Sequence, residues 1–418
     1  MKCFRTSIVG LCWVGLATAA LGSDDFIDQV DEALTTSAFG GAIRARVSGA
    51  VDVEGYALQQ PAPSLIFTNR RNLFNPRLSV FLDAQLGPRV YLYAQAAGDR
   101  GFDPSDGSAQ TRFDEYALRF SPADGGVLSV QVGKFATVVG NWTLRHSSWD
   151  NPFITAPLPY ANLTGIWDAI AARSSDVVLA WASVRPHPTS GGEYLNKNLS
   201  VPIVWGPSYA SGAAVFGGLG KFNYAVELKN ASLSSRPEVW DAAQTQWQHP
   251  TWSSRLGYRP NQMWNLGVSA SAGTYLRPLA APTIAAGHAL DDYREVVFGQ
   301  DIGFAWHQMQ FWAECYEARY AIPRVGNADT IAYYAETKLK FTPQFFVALR
   351  WNQQVFSTLR DRLGEAVRWG RDVWRWDLGP GYRFTPHTQF KLQYCLQHEA
   401  ADSRELGHTL AGQFTLRF

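Results

Sequence analysis

From residue 42 to its end the chain alternates. In Ile43-Arg-Ala-Arg-Val-Ser-Gly-Ala-Val-Asp-Val-Glu-Gly55 the apolar set is Ile43, Ala45, Val47, Val51 and Val53. The polar set is Arg44, Arg46, Ser48, Asp52 and Glu54. A period of two sends these sets to opposite faces of a strand. The pattern recurs in segments 42–57, 76–86, 89–99, 111–121, 127–135, 208–217, 220–230, 251–260, 263–273, 295–306, 307–320, 329–341, 344–356, 372–384, 388–399 and 405–418. Short links such as Gly87-Pro88 and Asn261-Gln262 alternate with longer ones, among them 58–75, 136–207 and 357–371. A sandwich could show one such strand. Sixteen of them, with short turns alternating with long loops, predict an all-β fold: a transmembrane antiparallel up-and-down β-barrel. An even strand count puts both termini on one side, the periplasmic one.

The two ends of the chain fit that reading. Leu410, Phe414, Leu416 and Phe418 fall on one face of the last segment, and Thr409, Ala411, Gln413, Thr415 and Arg417 on the other. The terminal Phe418 resembles the signal read by the bacterial barrel-assembly machinery, which would make that machinery a partner. At the start, Met1-Lys-Cys-Phe-Arg5 is basic, Ile8 to Ala20 is apolar, and Ala20-Leu21-Gly22 offers small residues for cleavage. Residues 1–22 therefore read as a signal peptide, too short in their apolar run to be a membrane anchor. Residues 23–41 form a periplasmic segment before the barrel at 42–418. Asp24 and Asp25 are placed to cap a short helix carrying Phe26, Val30 and Leu34 on one side. That helix could plug a pore, join subunits or do neither.

Composition narrows the picture. Net charge is +1, so no nucleic-acid footprint is present. Aromatics make up 14% of the chain, as the interfacial girdles of a barrel in lipid require. The expected girdle includes Phe120, Phe222, Tyr258, Trp264, Phe341, Phe345, Phe384, Phe390 and Phe418, all beside short turns. Past residue 22 only Cys315 and Cys395 remain. Their strand phases place Cys315 outward and Cys395 inward, so no disulfide joins them. Pro380 cannot donate to a ladder, and a bulge between Gly379 and Gly381 is expected to absorb it.

Charges of both signs fall on the inward set. Arg44, Arg46, Arg119, Lys221, Arg259, Lys340, Arg383, Lys391 and Arg417 lie near the turns, whereas Asp52, Glu54, Asp99, Glu227 and Glu399 lie nearer the loops. Arg255, Asp301, Glu314, Glu336, Lys338, Arg350, Arg375 and Asp377 occupy the middle. A mid-depth Arg or Lys on the lipid side would cost about 2–4 kcal/mol. The predicted pore-lining set is Arg44, Arg46, Arg119, Arg255, Glu314, Glu336, Lys338, Arg350, Arg375 and Asp377. Cross-strand pairing is the plainer role for the same residues. The basic excess at the turn end suggests a mild anion preference.

Residues 136–207 are the one link long enough to fold back. Within them, Thr164 is placed to cap a helical turn through Ala172. Asp176-Val-Val-Leu-Ala-Trp-Ala-Ser-Val184 and Leu199-Ser-Val-Pro-Ile-Val-Trp205 read as extended. They are expected to form a hairpin off the wall; the alternative is a wall of eighteen strands. Just before the link, Leu128-Ser-Val-Gln-Val-Gly-Lys-Phe-Ala-Thr137 resembles the Val-Gly-Gln/Lys-Phe stretch ending the fifth strand of phosphate-selective porin-like proteins. Those sixteen-stranded Gram-negative outer-membrane porins carry their constriction loop at this point. Val138 stands where a proline is usual, the N-terminal arm is reduced to 24–37, and no arginine ladder is readable. These departures leave phosphate selectivity unsupported.

The resemblance implies that Arg145, His146, Trp149 and Asp150 enter the lumen, facing Arg46, Arg119, Arg255 or Arg350. It implies a homotrimer, for which the sequence offers no interface, and passive diffusion of small hydrophilic solutes across the bacterial outer membrane. Alternatives are a channel selective for sugars or aromatic acids, with Trp142, Trp149, Tyr91 and Tyr93 as a stacking track, or a plugged structural or assembly barrel. No cofactor or metal is expected: His187, His249, His288, His387 and His408 show no ligand spacing. His146, Ser147 and Asp150 invite a hydrolase reading, but neighbours on one loop do not meet relay geometry and no nucleophile elbow surrounds Ser147.

Overall fold

A computed structural model describes residues 24–100, 109–183, 197–241, 247–400 and 406–418. The expected signal peptide lies outside the described residues. The described chain opens with helix α1 (Asp24–Ala33) and a four-residue strand β1 (Thr35–Ala38). The wall then runs through β2 (Ile43–Leu58), β3 (Asn72–Leu86), β4 (Val90–Asp99), β5 (Gln110–Phe120) and β6 (Ser129–Phe135). After a long connection come β7 (Ala210–Leu219), β8 (Phe222–Lys229), β9 (Thr251–Tyr258) and β10 (Trp264–Thr274). They are followed by β11 (Arg294–Trp306), β12 (Met309–Ile322), β13 (Gly326–Lys340) and β14 (Phe345–Phe356). A small hairpin, β15 (Thr358–Arg360) with β16 (Ala366–Arg368), stands apart from the wall. The last wall strands are β17 (Val373–Arg383), β18 (Thr388–Glu399) and β19 (Gly407–Arg417).

All pairings are antiparallel, and each wall strand pairs with its sequence neighbour. The main sheet has 17 strands; one is β1 and the other sixteen form the wall. β19 pairs back onto β2, with Gly412 opposite Gly55, and closes the sheet into a barrel. No edge is left over, the requirement that a large exposed sheet otherwise fails. At the seam, Gly49 and Phe418 exchange both backbone hydrogen bonds, at 2.8 and 2.9 Å. The Phe418 ring lies directly on Gly49, where a Cβ would come within 2.4 Å of it.

The outer face carries the large exposed apolar side chains, among them Leu118, Val132, Leu256, Val268, Leu349 and Leu392. Aromatic Phe120, Phe222, Phe341 and Phe345 sit exposed at its turn end. The inner face differs with height. Toward the loop end it is dry along β12 and β13. Tyr316, Tyr320 and Tyr334 of the wall pack with Trp142, Tyr160, Ile166, Val178 and Val204 of the long connection, and with Leu233, Tyr275 and Leu290 of its neighbours. The middle is ionic, and the turn end is cationic.

Several expectations are corrected. The apolar run after Asp176 is not extended; it forms helix α2 (Ser175–Ser183). The stretch 199–205 makes only one bridge, Trp167 with Ser200. The wall therefore has sixteen strands and not eighteen. Thr164 caps no helix: its hydroxyl donates to the Val201 carbonyl at 2.7 Å and accepts from the Ile166 amide, and this pairing holds 164–172 irregular. No bulge absorbs Pro380. Register is unchanged on both sides of it, with Leu378 opposite Tyr394 and Gly381 opposite Lys391. The wall's register shift lies elsewhere, at Gln95/Ala96 between β4 and β5. In α1 it is Ile27 that is buried, whereas Phe26 is exposed.

Candidate functional site

The link between β6 and β7 folds into the barrel. Its start is set by backbone geometry at Gly133, whose φ is +147°. A Cβ there would lie 2.1 Å from the Tyr116 carbonyl oxygen. Only glycine meets both conditions. The glycine of the Val-Gly-Lys-Phe stretch thus lets β6 press against β5 immediately before the chain leaves the wall.

From there the loop tracks along one arc of the inner wall. Glu227 on β8 accepts from the Thr137 hydroxyl at 2.6 Å and from the Val138 amide at 3.2 Å. Glu314 on β12 accepts from the amides of Asn141 and Trp142 at 2.9 and 2.6 Å, and from the hydroxyls of Tyr160 and Tyr316. Asn352 on β14 accepts from the Leu158 amide at 3.1 Å. Gln393 on β18 accepts from the amides of Ile154 and Thr155 at 2.7 and 2.9 Å. Cations hold the loop's carbonyls. Arg350 donates to Thr155 at 3.0 Å and Arg375 to Ala156 at 2.6 Å. Lys391 donates to three carbonyls, those of Ser148, Asn151 and Phe153, at 2.7, 2.9 and 3.2 Å. Charge-assisted bonds in a dry setting are the stronger kind.

The middle wall is neutralised as it holds the loop. Arg350 is fully buried between Glu336 and Asp377 at 3.3 and 2.8 Å. Arg375 pairs with Asp377 at 3.1 Å, and Arg255 pairs with Asp301 at 2.6 Å. Glu314, Glu336, Lys338, Arg350, Arg375 and Asp377 all point inward, but they are buried and meet the loop or one another in place of open water. Lys338 stacks on the Phe346 ring, 4.1 Å from its centroid.

The loop residues marked by sequence take different partners from those expected. Arg145 pairs with Glu336 at 2.5 Å and donates to the Tyr334 hydroxyl at 3.0 Å. His146 bonds the Thr143 carbonyl and the Tyr209 hydroxyl. Burial pushes the His146 imidazole below its ordinary pKa, and the nearby positive charge of Arg77 pushes it further down. Trp149 lies beneath two guanidiniums, Arg417 at 4.0 Å and Arg383 at 4.7 Å from its ring centroid. Asp150 is exposed and accepts from the Ser147 hydroxyl at 2.8 Å. No contact joins these four to Arg46, Arg119, Arg255 or Arg350 among the described residues. His146, Ser147 and Asp150 do not form a relay, because the imidazole turns away to Tyr209.

The opposite arc is held less closely, although His146 faces Arg77 and Asp114 there and the Ala136 amide donates to Glu115. Among the described residues, no hydrogen bond joins 137–183 to β2, β3, β4 or β5. The inner face of those strands presents Arg44, Arg46, Arg77, Tyr91, Tyr93 and Arg119, all exposed or half-buried. Arg119 donates to Gln131 and lies 5.6, 5.8 and 4.9 Å from the ring centroids of Tyr91, Tyr93 and Phe216. Arg77 is held by Asp52 and Glu54 at 2.9 and 3.2 Å. At the turn end, α1 docks beside the opening through Asp31 with Arg46 at 2.8 Å and Asp28 with His387 at 2.9 Å. The loop-holding roles of Lys391, Gln393, Asn352 and Gln354, which accepts from the Asn162 side chain at 2.8 Å, were not legible in the sequence. Strand phase showed some pointing inward, but nothing local showed what they would meet.

No family model matches the chain, and no curated protein is similar to it in sequence. Solved structures do resemble it in fold. OmpF of Salmonella typhi, in complex with daunomycin, superposes with a TM-score of 0.55 at 10% identity, covering 92% of this chain and 100% of that one. An anion-selective porin from Comamonas acidovorans gives 0.54 at 9% identity, covering 90% and 100%. The outer membrane protein OmpT of Vibrio cholerae, with its loop L8 deleted, gives 0.53 at 10% identity over 90% and 100%. Identities this low show the shared barrel and nothing finer.

Proposed function

We propose that the chain is an outer-membrane porin through which small hydrophilic solutes diffuse passively. The observation that carries this reading is the one-sided loop. Residues 137–162 are bonded to inner-face side chains from β8 round to β18, while β2–β5 take no hydrogen bond from them and keep Arg44, Arg46, Tyr91, Tyr93 and Arg119 exposed or half-buried on their inner face. A plugged barrel would have its loop bonded to every arc. The apolar outer face and the aromatic ring at its turn end fit a bilayer with the turns in the periplasm. The wall removes the hydrocarbon barrier, and the crescent beside the loop sets which solutes pass.

The charge distribution supports anion preference. Mid-wall Arg255, Arg350 and Arg375 are paired, but of the turn-end cations Arg44, Arg46, Arg119, Lys221, Arg259, Lys340, Arg383 and Arg417, only Arg46 has an ion-pair partner among the described residues. Unpaired charges at a narrow point weight permeation, whereas paired ones largely cancel. Trimeric assembly remains part of the proposal through the fold alone.

Planar-bilayer recording tests the reading. Purified protein is expected to give ohmic steps with modest anion preference, and removal of 140–170 is expected to raise unit conductance. A correctly folded barrel that carries no current, with or without the loop, overturns it.

A further inference from the structure

Midway along most strands the outer face of the wall is aliphatic, with Val132, Val215, Val226, Val268, Leu378 and Leu392 exposed. On β11 to β13 polar groups take their place. Gln300 lies midway along β11, opposite Val268 and Cys315, and is exposed. On β12 the same face continues toward the loops through Cys315, Glu317 and Arg319. Glu317 stands exposed between the outward Phe298 and Ile331. Neither Gln300 nor Glu317 has a hydrogen-bond or ion-pair partner among the described residues. Arg319 pairs with Asp329 of β13 at 2.7 Å, and the two side chains are 58% and 44% exposed.

Hydrocarbon offers such groups nothing to bond, and an amide or charged side chain without a partner there is costly. We propose that this patch is covered by the same patch of a second copy, so that two chains meet about a two-fold axis along the membrane normal. The inference rests on the membrane-spanning reading of the barrel and goes beyond the channel. The groups are self-complementary, as an isologous contact requires. A primary amide both donates and accepts, so two Gln300 side chains satisfy each other across the axis. Arg319 gives its Nε and Nη2 to Asp329. That leaves Nη1 for Glu317 of the partner subunit, and the reciprocal pair forms on the other side of the axis. Ala313 and Ala335, small residues near Gln300 and Cys315, line an open groove on this face that gives the partner's side chains room.

A lipid phosphate is the poorer occupant. The patch sets two carboxylates, Glu317 and Asp329, against the one guanidinium of Arg319, and so repels an anion. Arg294, nearer the loops on the same face, is turned to the Asp291 carbonyl at 3.1 Å. A ring of three through this patch would set it against a different face of each neighbour, where the aliphatic mid-depth positions offer Gln300 and Glu317 nothing to bond. The two-fold contact leaves β2–β5 free and is compatible with a trimer built through another arc.

Thiol cross-linking of the purified mature chain in phosphatidylcholine vesicles tests this, with native Cys315 as the reporter; Cys395 is buried on the inner face. Bismaleimides of graded length are expected to join two chains through Cys315. The yield is expected to exceed by about tenfold that of a Cys315→Ser, Val132→Cys variant, whose thiol sits on an aliphatic arc. Gln300→Leu with Glu317→Leu, both suited to lipid, is expected to lower the Cys315 yield about tenfold and to leave unit conductance unchanged. Cross-linking no stronger at Cys315 than at the control position, or unaltered by the double variant, overturns the proposal. So does cross-linking that appears only when lipopolysaccharide is added, because a lipid then fills the face. Current without cross-linking sinks the contact and leaves the porin reading standing. Cross-linking without current sinks the porin reading and leaves the contact.

Discussion

Lys391 shows how one side chain can govern the pore. Its ammonium is fully buried and has three loop carbonyls around it. Lys391→Met keeps the length and apolar stem but removes the donor from all three carbonyls, of which Ser148's keeps the Gln389 side-chain amide at 3.3 Å. The loop seat is expected to weaken by about 2–3 kcal/mol, read as faster limited proteolysis within 144–151 and noisier single-channel current, with the barrel itself still resistant to detergent. His146 acts in the other direction with pH. Its pKa is lowered in the folded loop, so the unfolded or undocked loop binds the proton more readily. The groups facing it are Thr143, Tyr209, Arg77, Asp114 and Asp150. Docking is therefore complete above the ordinary histidine pKa, about 6.5, and weakens as pH falls below it toward the lowered value. Conductance is expected to rise between pH 7 and 5, and His146→Gln, neutral throughout, is expected to flatten that rise.

At the scale of elements, the joints depend on particular residues more than the strands do. Gly133 closes β6 against β5 with a φ and a clearance that exclude any Cβ. Gly133→Ala is expected to destabilise this joint by about 1–3 kcal/mol, measured as a lowered temperature for loss of heat-modifiable mobility, while an alanine at Gly87, a turn position where a Cβ would meet open space, should cost less. The strands themselves were legible because alternation is a local property repeated at each pass, and register follows from keeping one face in and one out. The contents of the long loop were not. Val177 to Ala182 is apolar at every position, and such a run carries no period to separate helix from strand. It became α2 because its surroundings, Trp167 stacked on Trp181 at 4.6 Å and Val178 in the dry core, favoured a helix. Pro380 misled for a different reason. The ladder there simply opens for two residues, which a bulge would have corrected at the expense of every side chain beyond it.

Across the whole molecule, charge is sorted by height, and this sorting bears on selectivity. Paired ions hold the loop in the middle, and unpaired cations gather at the turn end. Arg383 and Arg417 flank Trp149 of the loop from two strands, so the loop tip and the cationic rim meet at one level. Selectivity should therefore originate at that level and not along the whole wall. Reversal potentials in a tenfold salt gradient measure it. Wild type is expected to favour chloride over potassium modestly, and Arg383→Ser with Arg417→Ser is expected to bring the ratio toward one. Arg350→Met, although it removes a mid-wall charge, should change the ratio less and the loop's stability more, because that charge is already cancelled by Glu336 and Asp377. Screening gives a second handle: the field reaches about 8 Å at physiological ionic strength and about 3 Å at 1 M. If the rim acts through a narrow crescent, preference should survive at 1 M in reduced form; if the opening is wide, it should vanish. Equal ratios for wild type and the double variant at low salt would place the selective charge elsewhere, with Arg119 beside Tyr91 and Tyr93 as the next position to change.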